Sequence, residues 1–285
     1  MVKPQHVSVV IPAHNEARTI GAVVSRLRQA HPELAEIIVV DDGSSDQTAA
    51  AAQVAGATVV RHQATHGYGA SIKSGIRTAQ GVFILTLDGD GQHQVTDLTK
   101  FFELSEHVDL AAGRRVRWLH SAPWRLPGKW LLRRLSSYLV QQRIPDLNCG
   151  LRLYRREAIL RYLPLCSDGY SFTGTSLVLF LHRGYRVTFV PVDVQPNSSQ
   201  GRVTVRTGFD VFLLLLRMAT LLDPLRVFVP LSAVIALLGI AWGAPYVVAG
   251  RGISVGALLL LLTSLLLFAV GLLSDQIAQL RKERL

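Results

Sequence analysis

Two rhythms of apolar residues alternate along the first half of the chain. Short runs rich in β-branched residues, His6 to Ile11, Glu36 to Val40, Thr58 to Arg61 and Val82 to Leu87, have the length and composition of strands. Between them the apolar positions take helical spacing. Ile20, Val23, Val24 and Leu27 share one face of a segment running from Asn15 and Glu16 to Gln29. An alanine-rich segment runs to Ala55 from Ser44 and Gln47, which have capping-box spacing, and a third runs from Ala70 to Ala79. Strand and helix alternating in this way predict parallel βαβ units with right-handed crossovers, a doubly wound α/β sheet. Pro12 is expected to end the first strand, and Val82 to Leu87, polar only at Thr86, reads as a strand buried on both faces. Beyond it the rhythm loosens. Leu98 to Leu104, Lys129 to Gln142 and Ser176 to His182 have helical patterns; Asp109 to Gly113, Leu151 to Tyr154 and Val187 to Val194 have extended ones.

A different pattern takes over past residue 206. Gly208 to Leu222 is apolar apart from Asp210, Arg217 and Thr220 on one helical stripe, as in a helix lying in the headgroup plane. Val227 to Ala249 holds no charge over 23 positions and Ile253 to Ser274 none over 22, each enough to span a hydrocarbon core of roughly 30 Å. Only Gly250, Arg251 and Gly252 separate them, which forces a helical hairpin. The expected organisation is an α/β domain over 1–206, an interfacial amphipathic helix over 207–224 and a transmembrane hairpin with a short tail over 225–285.

Charge orients this arrangement. Of the 30 Lys and Arg, 26 precede Val227, three follow the hairpin and only Arg251 lies in its link. By the positive-inside rule both termini and the α/β domain then face the cytoplasm, with the hairpin in the cytoplasmic (inner or plasma) membrane. The apolar run before Glu16 is too short for a signal peptide. Residues 1–226 carry 26 basic and 18 acidic side chains, a balance suited to anionic lipid headgroups or phosphorylated substrates. Nucleic acid is set aside as a partner, since no helix-turn-helix, finger or RNP pattern accompanies the charge. Cys149 and Cys166 are too few for a disulfide framework or a zinc site and read as reduced bystanders.

The candidate chemistry sits where the doubly buried strand stops, at Asp88-Gly-Asp-Gly-Gln92. If the chain stays extended through Gly89, Asp88 and Asp90 face one way, about 7 Å apart at Cα. Two acids so placed repel unless a cation lies between them, and Gly89 and Gly91 leave room for a bulky ligand. The implied cofactor is Mg2+ or Mn2+, held by oxygen ligands and shared with a diphosphate. The position supports it, because open α/β sheets bind ligands at the carboxyl ends of their strands. The plainer reading is a solvated turn after a strand.

The motifs VSVVIPAHNE, VVDDGSSDQT, GYGASIKSGIRTAQG, LDGDGQH, AAGRR and DLNCGLRLYRRE follow one another in this order. With them, essentially the whole chain resembles the family 2 glycosyltransferases of GT-A fold, and among these the polyprenyl-phosphate (dolichyl-phosphate-like) glycosyltransferases. The resemblance implies that Pro12, Ala13, Asn15 and Glu16 lie beside the nucleotide base and ribose and that Asp42 contacts the nucleotide. It implies metal and diphosphate positions at Asp88, Asp90 and Gln92, an arginine near the phosphates at Arg115, and an acceptor loop of form D-x-x-x-G at Asp146 and Gly150. Gln92 suits its place, since an amide oxygen is a hard ligand that adds no negative charge. Two departures stand out. Where many relatives have a Glu after the acceptor loop, this chain offers Thr173 and Thr175, and where relatives often carry a basic G-K-S-K segment, only Arg202 and Arg206 are present.

The activity implied is inverting transfer of one hexose from a nucleotide-diphosphate sugar, UDP-glucose first and GDP-mannose second, to a membrane polyprenyl phosphate. Eight basic residues and no acid lie between Asp109 and Asp146. Most read as a solvated face toward anionic lipid, but an acceptor phosphate approaching a diphosphate also needs a cation. Arg125, Arg133 and Arg134 are equally eligible to clamp it beside Arg115. The rivals are a processive polysaccharide synthase, whose Q-x-x-R-W motif and further spans this chain lacks, and a non-catalytic membrane scaffold, against which the intact Asp88, Asp90 and Gln92 argue. A homo-oligomer is left open.

Overall fold

The computed structural model describes residues 1–104, 107–116, 134, 137, 142–193 and 223–283. The basic helix expected over 129–142 and the interfacial helix over 207–224 therefore lie almost wholly outside the described residues, as do Arg125, Arg133, Arg202 and Arg206. The chain divides into two compact units, Met1–Thr204 and Val205–Leu285.

In chain order the first unit runs β1 (Val7–Ala13), α1 (Ile20–Ala30), β2 (Glu36–Asp41), α2 (Thr48–Val54), β3 (Thr58–Arg61), α3 (Tyr68–Thr78), β4 (Phe83–Thr86), α4 (Asp97–Phe102), β5 (Leu110–Arg115), β6 (Arg152–Arg155), α5 (Arg156–Tyr162), α6 (Phe172–His182) and β7 (Val187–Val192). The strands form one sheet in the order β3-β2-β1-β4-β6-β5-β7. It is mostly parallel, with β6 antiparallel to both β4 and β5. The chain steps outward from β1 to β2 to β3, then returns to the other side of β1 for β4. Where the order reverses, the loops leaving β1 and β4 part in opposite directions and open a crevice at the strands' carboxyl ends.

Both faces of the sheet are covered, which is why β1, β2 and β4 read as continuous apolar runs. On one face Ile20, Val23, Val24 and Leu27 of α1 join Leu98 and Phe101 of α4 over Val7, Val9, Ile11, Ile37 and Val39. On the other, Ile72 and Ile76 of α3 are buried, and the helix lies so close that a Cβ on Gly75 would fall 2.3 Å from Val10 Cγ1.

Three local expectations are corrected. Pro12 does not end β1 but continues it, pairing with Val40; the β4 ladder stops at Val10 and Thr86, so the missing N–H forfeits no bond on that side. The first helix begins at Ile20, because Asn15 adopts φ +56° and its amide donates to Ser44 Oγ at 2.9 Å. That use of Ser44 also removes the expected capping box, and α2 instead starts at Thr48, whose amide donates to Asp46 Oδ1 at 3.0 Å.

The second unit contains α7 (Leu225–Val248) and α8 (Val255–Glu283), both long and apolar enough to cross a membrane. Gly250 and Gly252, at φ +69° and +77°, turn the link between them. Small residues bring the pair together: a Cβ on Gly243 would lie 2.8 Å from Ala257 Cβ, and one on Gly271 2.7 Å from Phe228 Cβ. Ser264 Oγ donates to the Ser232 carbonyl at 2.8 Å across the pair.

Candidate active site

A cleft of about 480 Å³ opens at the β1–β4 crevice, lined among others by Pro12, Ala13, Glu16, Asp42, Tyr68, Asp88, Asp90, Asn148, Tyr170 and Thr173. Seven residues singled out in the sequence, Pro12, Ala13, Glu16, Asp42, Asp88, Asp90 and Thr173, thus meet in one place. Asn15 is not among the lining residues; its side chain instead accepts from the Ser45 amide at 2.9 Å, lacing the loop after β1 to the loop after β2. Asp41 caps the turn that follows it, accepting from the Ser44 amide at 3.0 Å.

Asp42 is held by three donors. The amides of His66 and Gly67 reach Oδ1 and Oδ2 at 2.9 and 2.8 Å, and His62 Nδ1 lies 2.7 Å from Oδ1 while its Nε2 meets Ser74 Oγ at 2.9 Å. Burial acts to raise the Asp42 pKa, but these hydrogen bonds outweigh it and hold the carboxyl below its usual range.

The two carboxylates after β4 differ from the extended arrangement, because the chain turns at Gly89 and Asp90. Asp88 Oδ1 accepts from the Tyr68 hydroxyl at 2.9 Å, and Oδ2 lies 3.6 Å from Nε2 of the buried His93. Burial opposes ionisation there, yet His93, Tyr68 and the Arg115 charge bring the net pKa down. Asp90 is the opposite case. Burial, reinforced by the Asp88 and Glu16 charges, raises its pKa despite the Gln92 amide donating to Oδ1 at 3.0 Å; Gln92 Nε2 also donates to Oδ2 at 2.7 Å.

Asp88, Asp90 and the Gln92 amide oxygen are hard oxygen donors with surplus negative charge, the chemistry a divalent cation takes. Among the described residues no cluster of three or more His, Cys, Asp or Glu provides a complete protein cage, so a cation here would complete its shell from ligand or water oxygens. The cradle is also shaped for a carboxylate: a Cβ on Gly150 would lie 2.3 Å from Asp88 Oδ2.

Asp146 and Arg115, separate in the sequence argument, form one unit. Arg115 Nε donates to Asp146 Oδ2 at 2.7 Å and Nη2 to Oδ1 at 2.9 Å. Burial raises the Asp146 pKa, and the bidentate guanidinium more than reverses this. Arg152 went unnoticed in the sequence. It is fully buried, donates to the carbonyls of Cys149 and Leu147 at 3.0 and 2.7 Å and to that of Thr173, and so ties the 146–150 loop to α6. Lys73 is buried and pairs with the exposed Asp168 at 2.7 Å. Arg134 is exposed. Both cysteines are buried, and burial pushes the Cys149 thiol up to about 11.

Residues 8–163 match the family described as glycosyl transferase family 2, and residues 223–280 match the GtrB C-terminal hairpin. The chain is 32% identical over 300 residues to glycosyltransferase AglJ of Haloferax volcanii, covering 100% of this chain and 98% of that protein. To a dolichyl-phosphate hexose transferase of Haloferax volcanii it is 28% identical over 207 residues, 70% of this chain and 88% of that protein. The solved structure of glucosyl-3-phosphoglycerate synthase from Mycobacterium tuberculosis, in complex with Mn2+, UDP and glucosyl-3-phosphoglycerate, is similar in fold, with a TM-score of 0.60 at 19% identity over 74% of this chain and 79% of that one.

Proposed function

The chain belongs to glycosyl transferase family 2, and from that premise we propose that it moves a single hexose from a nucleotide-diphosphate sugar to a membrane polyprenyl phosphate, inverting the anomeric carbon. The observation that carries this reading is the presence in one chain of the carboxylate cleft at the β1–β4 crevice and an apolar helix pair matching the GtrB hairpin. The relative named a dolichyl-phosphate hexose transferase supports the acceptor class. UDP-glucose is the first donor to test and GDP-mannose the second.

In this proposal Pro12, Ala13, Glu16 and Asp42 serve the nucleotide, Asn15 holds the loop that carries Glu16, and Asp88, Asp90 and Gln92 hold Mg2+ or Mn2+. When bound, the ion supplies positive charge against the leaving diphosphate. A phosphate monoester, with a second pKa of about 6, is already mostly a dianion at neutral pH, so the acceptor needs no strong base. Thr173 and Thr175 in place of a Glu fit that requirement. An acceptor oxygen attacks C1 of the hexose, the bond from C1 to the β-phosphate oxygen breaks, and the electron pair leaves with the nucleoside diphosphate. Asp146 takes the Nε and Nη2 edge of Arg115, leaving Nη1 for the phosphates. One of Arg125, Arg133 and Arg134 clamps the acceptor phosphate, and the hairpin anchors the enzyme in the cytoplasmic membrane.

The test is transfer by purified protein in detergent, with labelled UDP-glucose or GDP-mannose, polyprenyl phosphate and Mg2+ or Mn2+. Lipid-linked hexose and free nucleoside diphosphate are expected. Asp90→Asn is expected to lower transfer by about 10- to 100-fold or more, by the scale of losses around metal sites. Undiminished turnover in EDTA or in the mutant would remove the metal role, and absence of lipid product with a full panel of nucleotide sugars would remove the function.

A further inference from the structure

One rim of the cleft is built from two tyrosines that the transfer chemistry leaves without a task. Tyr68, at the start of α3, donates its hydroxyl to Asp88 Oδ1. Tyr170 stacks on it, ring centroids 5.7 Å apart and planes inclined by 14°, a normal offset aromatic pair. Yet Tyr170 is 88% exposed, and both rings line the cleft. An exposed tyrosine on a loose loop would carry no message, but the loop bearing this one is pinned to α3. The Ala70 amide donates to the Asp168 carbonyl at 2.9 Å, and buried Lys73 donates to the Asp168 carboxylate at 2.7 Å. The approach is so close that a Cβ on Gly69 would lie 2.2 Å from the Ser167 carbonyl oxygen. Gly67, at φ +105°, faces the same loop. The open face of Tyr170 is therefore presented in a set orientation.

Its surroundings indicate the ligand. Asn148 and Thr173 line the same cleft as the ring and bring an amide and a hydroxyl to it. A pyranose has both complements: C–H bonds that lie against an aromatic face, and hydroxyls that need hydrogen-bond partners. An isoprenoid tail would gain from the ring and nothing from Asn148 and Thr173. The hexose of a nucleotide sugar also hangs directly from the diphosphate, which brings it within a side chain's reach of Asp88, the group Tyr68 touches. We propose that Tyr170 is the platform on which the donor hexose stacks, and that Tyr68 is a positioning residue that sets both that ring and the Asp88 carboxylate. This rests on reading the chain as a nucleotide-sugar transferase.

The experiment is calorimetric binding to the full chain in detergent with Mg2+, using UDP, UDP-glucose, GDP and GDP-mannose. Tyr170→Ala is expected to weaken the nucleotide hexose by about five- to tenfold, the scale of one aromatic contact, with the matching nucleoside diphosphate unchanged. Tyr170→Phe keeps the ring and is expected to restore the difference. Tyr68→Phe keeps the stack but loses the Asp88 bond, so it is expected to retain hexose preference while shifting half-saturation by Mg2+ upward. Wild-type nucleotide-hexose affinity in Tyr170→Ala overturns the proposal; a higher KM for polyprenyl phosphate alone would give the ring to the acceptor tail instead. Failure of the unmutated protein to bind any of the four overturns the transferase reading, and the platform falls with it.

Discussion

A methyl group at Gly150 would lie 2.3 Å from Asp88 Oδ2, and the carboxylate, the free end of its side chain, can yield only by giving up its contacts with Tyr68 and His93. Gly150→Ala is therefore expected to displace Asp88 with little loss of fold. Misplacing a reacting group by about 1 Å costs on the order of 100-fold in rate, so transfer should collapse while the thermal midpoint stays near wild type; wild-type turnover would show that the contact is not needed. Asp146 carries a pH signature instead. Burial raises its pKa, but Arg115 brings it below the unfolded value of about 3.9. Such a carboxylate stabilises the fold above the unfolded pKa, and that stability is lost as pH falls through the folded one. Asp146→Asn should therefore flatten the acid limb of a stability-against-pH curve below about pH 4, by up to about one proton's slope; an unchanged slope would refute the assignment. Asp88 and Asp90 could be singled out in the sequence because they follow an apolar run, and Asp42 by its place in a family motif; the structure puts all three on one cleft. Their keepers were not legible in the sequence: Tyr68, His62 and the Arg115–Asp146 pair meet across 20 to 31 residues of chain, and no local pattern marks such meetings. Arg152 was hidden for a related reason, since a buried arginine bonded to carbonyls looks in sequence like any basic residue.

Helix starts are where local propensity was overruled. Asn15 and Ser44 each carry a helix-capping side chain, but each bonds to the other's loop, so both helices begin later, at Ile20 and Thr48. The buried face of α1 was still legible, because Ile20, Val23, Val24 and Leu27 depend on period and not on the first turn. In the hairpin the length of each apolar run was plain, whereas the contact line was not. Among so many leucines the informative residues are the small ones, Gly239, Gly243 and Ala257 along one stretch and Ser232, Ser264 and Gly271 along another. Gly243→Leu would force its Cβ to within 2.8 Å of Ala257 Cβ. Overpacking of this kind costs about 1–3 kcal/mol, so a clear fall in the thermal midpoint in detergent is expected. Leu266→Ala, at a position 66% exposed, should change it little. Equal effects of the two would mean that α7 and α8 do not pack along this line.

At the scale of the whole molecule the open matter is which side of the bilayer each unit faces. The charge distribution carries the argument: 26 of 30 Lys and Arg precede Val227, whereas the link between α7 and α8 has only Arg251. By the positive-inside rule we infer that both flanks of the hairpin are cytoplasmic and that the link faces the opposite side. A single cysteine tests this, provided the native thiols stay silent. They should, because Cys149 and Cys166 are each 1% exposed and burial pushes the Cys149 thiol up to about 11, which leaves little thiolate to react at neutral pH. Gly252 is a poor site for the probe, since its φ of +77° would strain any side chain. Ile253, 68% exposed and next to it, avoids the strain. Ile253→Cys is expected to react with an impermeant maleimide added to intact cells, while a control cysteine at the exposed Gln53 should react only after permeabilisation. The reverse pattern would put the cleft outside the cell, away from cytoplasmic nucleotide sugars, and would defeat the proposed reaction along with the topology.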